Sequence, residues 1–531
     1  MKIHYGVKNL RSLKSTPEIE IRPITILVGR NSAGKSTFLR SLPLLRQSTE
    51  TKSSAPILWW GDLVDFGDFA AAVNDGNKDQ QITFSFRLED FQSTFRERYS
   101  TYPSYYNPAK KISVTDLKIE YAIGTSNNKT TLNSIRISIE SEDIEYEANL
   151  AGRTGSDSSI RINRKDIATW IKGFEAEYLG GPVFNHPMLV AKTKESGGAS
   201  RRIVYHQKLC YDALERILNQ STPNNISTET VQREARRIAG AEKLDSETLI
   251  EFHRLAQTQA FKKIYKRLLD DPKSEFGQSV FSIHKFGRAS IVAELVEERL
   301  IDYFRGVSYI GPVRAASERF YRRQELEVSE ISSSGNNFPM FLASLSNSRL
   351  NQFSAWVESI FGYGVDIASN GGHISINLKE GNRSVNVTDT GYGVSQILPV
   401  LGTVWWSSVR AQERYGRRQF QEPALMAIEQ PELHLHPAHQ AKLADVFARA
   451  VASETGPERR NPINLLIETH SEALINRLGE LIEIGVISPE SVQVVIFSAE
   501  GGINSPTSVS LAQFNEKGAL SNWPFGFFNY D

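Results

Sequence analysis

The residues whose types and spacing could do chemistry begin with Gly29-Arg30-Asn31-Ser32-Ala33-Gly34-Lys35-Ser36. They follow a short apolar, β-branched run, ITILVG, and lead into TFLRSLPLLRQS, a helical pattern expected to bend at Pro43. A glycine-rich turn between a buried strand and a helix points several backbone N–H groups at one phosphate chain, at the positive helix end. In that setting Lys35 reaches the β- and γ-phosphates and the Ser36 hydroxyl holds Mg²⁺. Arg30, Asn31, Ser32, Ala33, Gly34, Lys35, Ser36 and Thr37 are the candidate nucleotide-binding residues.

A second group starts with the strand-like ALMAIE, which ends in Glu429. A carboxylate there can hold magnesium-bound water opposite Ser36, so Ser36 and Glu429 form the candidate metal pair. The next residue is Gln430, an amide whose carbonyl can orient water but cannot accept its proton. Glu432, two residues on, could substitute. His470, placed after the apolar run INLLIET, could contact the γ-phosphate or the attacking water. Glu429, Gln430, Glu432 and His470 are therefore the candidate catalytic residues. The histidines His434, His436 and His439 invite a zinc reading, but no cysteine lies near them and magnesium already accounts for a metal.

A third feature is DTGYGVSQILPVL. Gly391, Gly393, Ser395 and Gln396 open an apolar helix whose bare N-terminus suits an anion. The same residues also fit a plain helix cap by Ser395 or Asp389.

Composition sets the limits. The chain has 531 residues, no formal net charge and one cysteine, Cys210. Its length suggests more than one domain-sized unit. Zero net charge does not advertise binding to polyanions, so any DNA surface is a local patch. A lone cysteine permits no intramolecular disulfide, and a reducing cytoplasmic setting is expected. No run approaches the ~20 apolar residues of a membrane helix, nor does the N-terminus carry a signal-peptide core.

The elements that must position these residues change character along the chain. Residues 2–28 read as two strands. Residues 80–163 alternate apolar and polar residues between turn-formers, the pattern of an antiparallel meander with one wet face. From about 165 to 305 the spacing is mostly helical, and VQREARR and FKKIYKR carry basic faces that read equally well as solvated surface. From 306 onward strands and helices alternate again, with a helix expected near 337–361. The C-terminal part thus completes a sheet begun at the N-terminus.

The order of motifs resembles the ABC-type ATPases of the SMC/RecF branch, and more closely the overcoming-lysogenization-defect (OLD)-like AAA ATPases, whose acidic motif runs E-x-P-E-x-x-L-H-P. VKNLRSLK, YIGPVRAASERFY and the closing NWPFGFF look like features of that group. The resemblance covers 1–165 and 306–531. It implies an α/β fold: an ABC-type P-loop ATPase head with a mixed sheet, an inserted antiparallel β-meander and an inserted helical subdomain. The expected division is 1–165, the N-terminal part of the head with the β lobe; 166–305, a helical insertion for dimerisation or partner binding; and 306–531, the rest of the head.

In that family the helix at Gly391, Gly393, Ser395 and Gln396 of one subunit caps ATP held by another, implying a head-to-tail homodimer or higher oligomer. The family's water-activating glutamate is Gln430 here, which implies slow turnover. No Toprim or His-Asn-His nuclease pattern follows the Thr-His motif. The chain looks like the PtuA-type ATPase subunits of Septu and retron-associated anti-phage systems, whose partners are a separate HNH nuclease and, in retrons, a reverse transcriptase with its RNA–DNA. A DNA-repair or chromosome-handling ATPase and a non-hydrolysing scaffold are the rival expectations.

Overall fold

ITILVG forms β1 (Ile24–Gly29), buried at every position as a strand covered on both faces must be. In the computed structural model it lies inside a seven-stranded sheet. The structure describes residues 1–76, 80–95, 110–150, 158–171, 174–177, 181–185, 187–195, 198–204, 206–324, 327–415, 423–452, 463–499 and 507–523. Most of NWPFGFF therefore lies outside the described residues. The chain divides into two compact units, residues 8–50, 59–76 and 303–531 forming the one that holds β1.

The partners of β1 come from the far end of the chain: β2 (Ser308–Ile310), β3 (Ala424–Glu429), β4 (Ile463–Glu468), β5 (Val492–Ala499), β6 (Thr507–Phe514) and β7 (Leu520–Ser521). Their order is β2-β3-β4-β1-β5-β6-β7, with the first five parallel and the last two antiparallel. The helices of the same unit that bear on the site are α1 (Lys35–Glu50), α2 (Tyr392–Tyr415), α3 (Pro437–Val451) and α4 (Glu472–Glu483). Alternate strand residues (Ile26 and Val28, Met426 and Ile428, Leu465 and Ile467) share one apolar cluster with Leu401, Leu443, Phe447 and Leu478 of α2 to α4. Each such side chain contributes about 1.5–3 kcal/mol on burial. The mixed α/β class expected from the alternating pattern is the class observed.

Register matters most for function. Glu429 pairs with Glu468, and Glu468 with Leu27, so the ends of β3, β4 and β1 reach the same edge of the sheet. Open parallel sheets place their ligands at this edge.

Some elements differ from expectation. Four strands rather than two precede residue 30, because Lys8–Leu10 folds back antiparallel onto Leu13–Ser15 and a further short strand covers Ile19–Glu20. The single helix expected at 337–361 is two, Phe338–Ser344 and Asn347–Phe361, the second started by Ser346 accepting from the Arg349 N–H.

The other unit comprises residues 1–7, 51–58 and 77–302. Its strands Ile82–Phe95, Lys110–Ser126, Lys129–Ile139, Ile144–Asn149 and Ser159–Ile162 pair successively and antiparallel, the meander read from the alternation. Helices begin only at His206, because three short antiparallel strands occupy Phe174–Glu177, Met188–Glu195 and Gly198–Val204. Part of the basic helix face turns inward: Arg237 binds the buried Glu234 at 2.6 Å, and Tyr265 donates to the same carboxylate. Cys210 is buried, and burial pushes its thiol up, so it is packed rather than reactive.

His284, also buried here, donates from Nε2 to the Ala241 carbonyl at 3.0 Å. Burial, reinforced by the charge of Arg288, holds the imidazole below its ordinary value despite that hydrogen bond. The unfolded chain therefore takes up this proton first, and stability falls as pH drops through about 6.5. His284→Gln is expected to flatten the decline in urea stability between pH 7 and 5. Identical slopes for parent and variant would remove His284 from the account.

Candidate functional site

The turn after β1 is built by backbone handedness. Gly29, Ser32 and Gly34 have φ of 146°, 65° and 92°, alternating with ordinary residues so that successive N–H groups can face inward. A Cβ on Gly29 would sit 2.1 Å from the Phe497 carbonyl oxygen, and one on Gly34 would sit 2.5 Å from the Leu13 side chain. The hairpin around Leu13 thus forms the floor of the turn, and only glycine fits above it. α1 then begins at Lys35 with no acidic residue in its first turn, which leaves its positive end for an anion.

Lys35 is 3% exposed, and its ammonium donates back to the Gly29 and Arg30 carbonyls at 2.9 and 2.8 Å. Burial holds it below its ordinary value. Its third neighbour is Glu468, 4.0 Å away at the end of β4. Ser36 donates from Oγ to Glu468 Oε1 at 2.9 Å, and Glu468 Oε2 has no hydrogen-bond partner among the described residues. Burial foremost, and then Glu429, raise the proton affinity of Glu468.

Glu429 is committed elsewhere. Its two oxygens accept from Arg40 Nε and Nη2 at 2.7 Å each, and Oε1 also accepts from the Tyr309 hydroxyl at 2.8 Å. The carboxylate is almost wholly buried, while Arg40 is a third exposed. Removing one partner of a buried pair leaves the other charge uncompensated, at a cost of about 3–5 kcal/mol. Arg40→Ala is therefore expected to cost about 3 kcal/mol, the low end because water reaches Arg40. Urea denaturation followed by circular dichroism measures it, and a loss below about 1 kcal/mol would mean that Tyr309 and solvent suffice.

Gln430 is held by its backbone. Its N–H donates to the Glu468 carbonyl at 2.8 Å, its φ is 41°, and Arg314 Nη2 donates to the carbonyls of Glu429 and Gln430 at 2.8 and 3.3 Å. Arg314 is buried, and burial lowers it to about 10, opposed chiefly by the charge of Glu432. Glu432, buried as well, accepts from the His470 backbone N–H at 2.6 Å, so it fastens the loop after β4 to the loop after β3. The exposed His470 ring is held below its ordinary value by partial burial and by the charge of Lys35. All four candidate catalytic residues thus gather beside the P-loop.

A family model described as an AAA ATPase domain matches residues 1–475. The chain belongs to that family. Among solved structures this AAA ATPase is similar to the SMC head domain from Thermotoga maritima, at 7% identity, a TM-score of 0.32, and 96% and 98% of the two chains covered. It is also similar to the recombination mediator protein RecF of the RecFOR pathway. With ATPrS the identity is 10%, the TM-score 0.27 and the coverage 95% and 96%; with ATP they are 10%, 0.25, and 89% and 94%. No curated protein matches.

In this AAA ATPase the second helix start stands apart from the P-loop turn in its bonding. Gly391 is exposed with φ of 96°, whereas Ser395 and Gln396 are buried. Ser395 donates to the Tyr392 carbonyl, and Gln396 to the Ala315 carbonyl at 3.1 Å. A Cβ on Gly393 would lie 2.5 Å from the His434 carbonyl oxygen, so this helix start rests on the acidic loop of its own chain. The three histidines are structural: His436 caps α3 with Pro437 following, His439 lies edge-on to Phe361, and His434 lies edge-on to Tyr392. No cluster able to hold a metal through three His, Cys, Asp or Glu side chains occurs among the described residues. No helix among the described residues is long and apolar enough to cross a membrane.

For a magnesium nucleotide the donor set fits. The turn offers backbone N–H groups, Lys35 a buried ammonium, Ser36 a hydroxyl, and Glu468 a buried oxygen with no partner among the described residues. Four residues of the site carried no role in the sequence: Arg40, Tyr309, Arg314 and Glu468. Tyr309 and Arg314 lie within YIGPVRAASERFY, the stretch quoted for its resemblance. Glu468 ends a buried strand directly before Thr469-His470, the signal that could have found it.

Proposed function

We propose that this AAA ATPase binds ATP with Mg²⁺ at residues 30–37 and hydrolyses it slowly, as a homodimer in which ATP acts chiefly as a clamp. Slow turnover rests on one observation: Gln430 occupies the place beside Glu429, at the edge where β3 and β4 meet the P-loop. Hydrolysis places a water in line with the γ-phosphoryl group and disposes of its proton. When bound, Mg²⁺ would supply charge neutralisation, with Ser36 and a strand-end carboxylate, Glu429 or Glu468, on the metal side. Lys35 would balance phosphate charge, and the Gln430 carbonyl would orient water without taking its proton. Gly391, Gly393, Ser395 and Gln396 would cap ATP of the partner subunit, with the exposed Gly391 leading.

The finer role is suggested by the resemblance of the motifs to Septu-type and retron-associated ATPases: control of a separate effector such as an HNH nuclease, with a reverse transcriptase and its RNA–DNA as a further partner. Native mass spectrometry of the protein co-expressed with its neighbouring genes, with and without ATP, tests stoichiometry, partner and bound nucleotide together. An ATP-dependent dimer carrying a nuclease supports the whole reading, and a monomer indifferent to ATP removes the clamp. ATP hydrolysis stimulated by DNA, with steep salt dependence of binding, would favour a DNA-repair role instead. Bound nucleotide that is never turned over would mark a scaffold.

A further inference from the structure

We infer that the carboxylate facing the divalent cation in this site is Glu468 rather than Glu429, an inference that rests on the nucleotide-binding reading above. Glu429 sits at the strand position where such an acid is expected, yet both its oxygens are bonded. Arg40 takes them bidentately and Tyr309 adds a third hydrogen bond. A carboxylate whose two oxygens already accept three charge-assisted or hydroxyl hydrogen bonds has little capacity left for a cation or its waters.

Glu468 has the opposite arrangement. It lies directly across the register from Glu429, on the strand adjacent to β1. Ser36 gives its hydroxyl proton to Glu468 Oε1 at 2.9 Å, and a hydroxyl whose proton is so directed turns its lone pairs outward as ligands. The other oxygen, Oε2, is buried and has no partner among the described residues, on a side chain that is 2% exposed. Buried polar atoms are rarely left so, and an ion or ordered water is one partner that would satisfy this oxygen. Lys35, which follows the phosphates, is 4.0 Å from the same carboxylate. The Ser36 hydroxyl and a Glu468 carboxylate oxygen thus converge at the start of α1, with the Lys35 ammonium beside them for the phosphates. Two such oxygens suit a hard cation that keeps several waters and shares a phosphate.

The test compares two variants by nucleotide affinity, using a fluorescent ADP analogue with and without Mg²⁺, and by the spin-resonance spectrum of Mn²⁺ added with ADP. Wild type is expected to bind the analogue more tightly with Mg²⁺. Glu468→Gln should lose at least tenfold of that gain, measured against the same variant's own metal-free affinity, and perturb the Mn²⁺ spectrum. Glu429→Gln should keep the gain. Should Glu468→Gln not fold, Glu468→Asp retains the charge at shorter reach, and it too should shrink the Mg²⁺ gain. A full gain retained in the folded Glu468 variant, or one abolished in a folded Glu429→Gln protein, overturns the inference and leaves nucleotide binding standing. A wild type that binds the analogue under neither condition overturns both.

Discussion

Gln430→Glu is expected to raise kcat for ATP hydrolysis by about 10²-fold, the lower end of what a positioned general base contributes. The substitution is isosteric, so the backbone that fixes this residue should persist. Its φ of 41°, its N–H bond to the Glu468 carbonyl and the hold of Arg314 on its own carbonyl do not depend on the side-chain terminus. What changes is the ability to accept a proton from the attacking water. The low end is chosen because a fourth carboxylate joins Glu429, Glu432 and Glu468, and like charges at close range disfavour full ionisation. Single-turnover hydrolysis measures the chemical step apart from product release. An unchanged single-turnover rate would show that the missing base is not what limits this enzyme.

The opposite extreme is Lys35→Ala, for which kcat/KM should fall by about 10²–10³, as when one preorganised charge-stabilising donor is removed. The ammonium is buried and held at the turn by two carbonyls, so its charge already lies at the start of α1 before phosphate arrives. Removing it also strips Glu468 of its nearest cation. A steady-state ATPase assay alongside circular dichroism separates the two consequences. A folded variant with kcat/KM within threefold of wild type would dissociate the P-loop from the chemistry.

Much of the site was legible because its parts are local in sequence. A glycine-rich turn between a β-branched strand and a helix declares itself in eight residues, and so does an acidic strand end followed by Pro-Glu. The residues that escaped notice have meaning only through distant partners. Ser36 and Glu468 are 432 positions apart, and Arg40 and Glu429 are 389 apart. Before the fold is known, Arg40 is a cation on a helix and Glu468 the polar end of a strand. The strands at 174–204 were missed for a different reason. Stretches such as AKTKESGGASRR carry little apolar alternation, and their pairing is set by neighbours rather than by pattern. The break near Leu345 was hidden because the apolar spacing continues across it, although Ser346 is a helix-starting residue.

The sheet order has a consequence for how this protein comes to exist in time. β1 and its turn are complete by residue 36, but the strands that flank β1 end at residues 468 and 499. At about 5–20 residues per second a ribosome needs on the order of 20–90 s to cover that interval. Until residue 468 has been added the candidate nucleotide-binding segment has neither neighbour, and Ser36 and Lys35 lack Glu468. The proposed nucleotide site therefore gains its second half only once Glu468, 432 positions beyond Ser36, has been added, so nucleotide would report on chains that have been extended past β4.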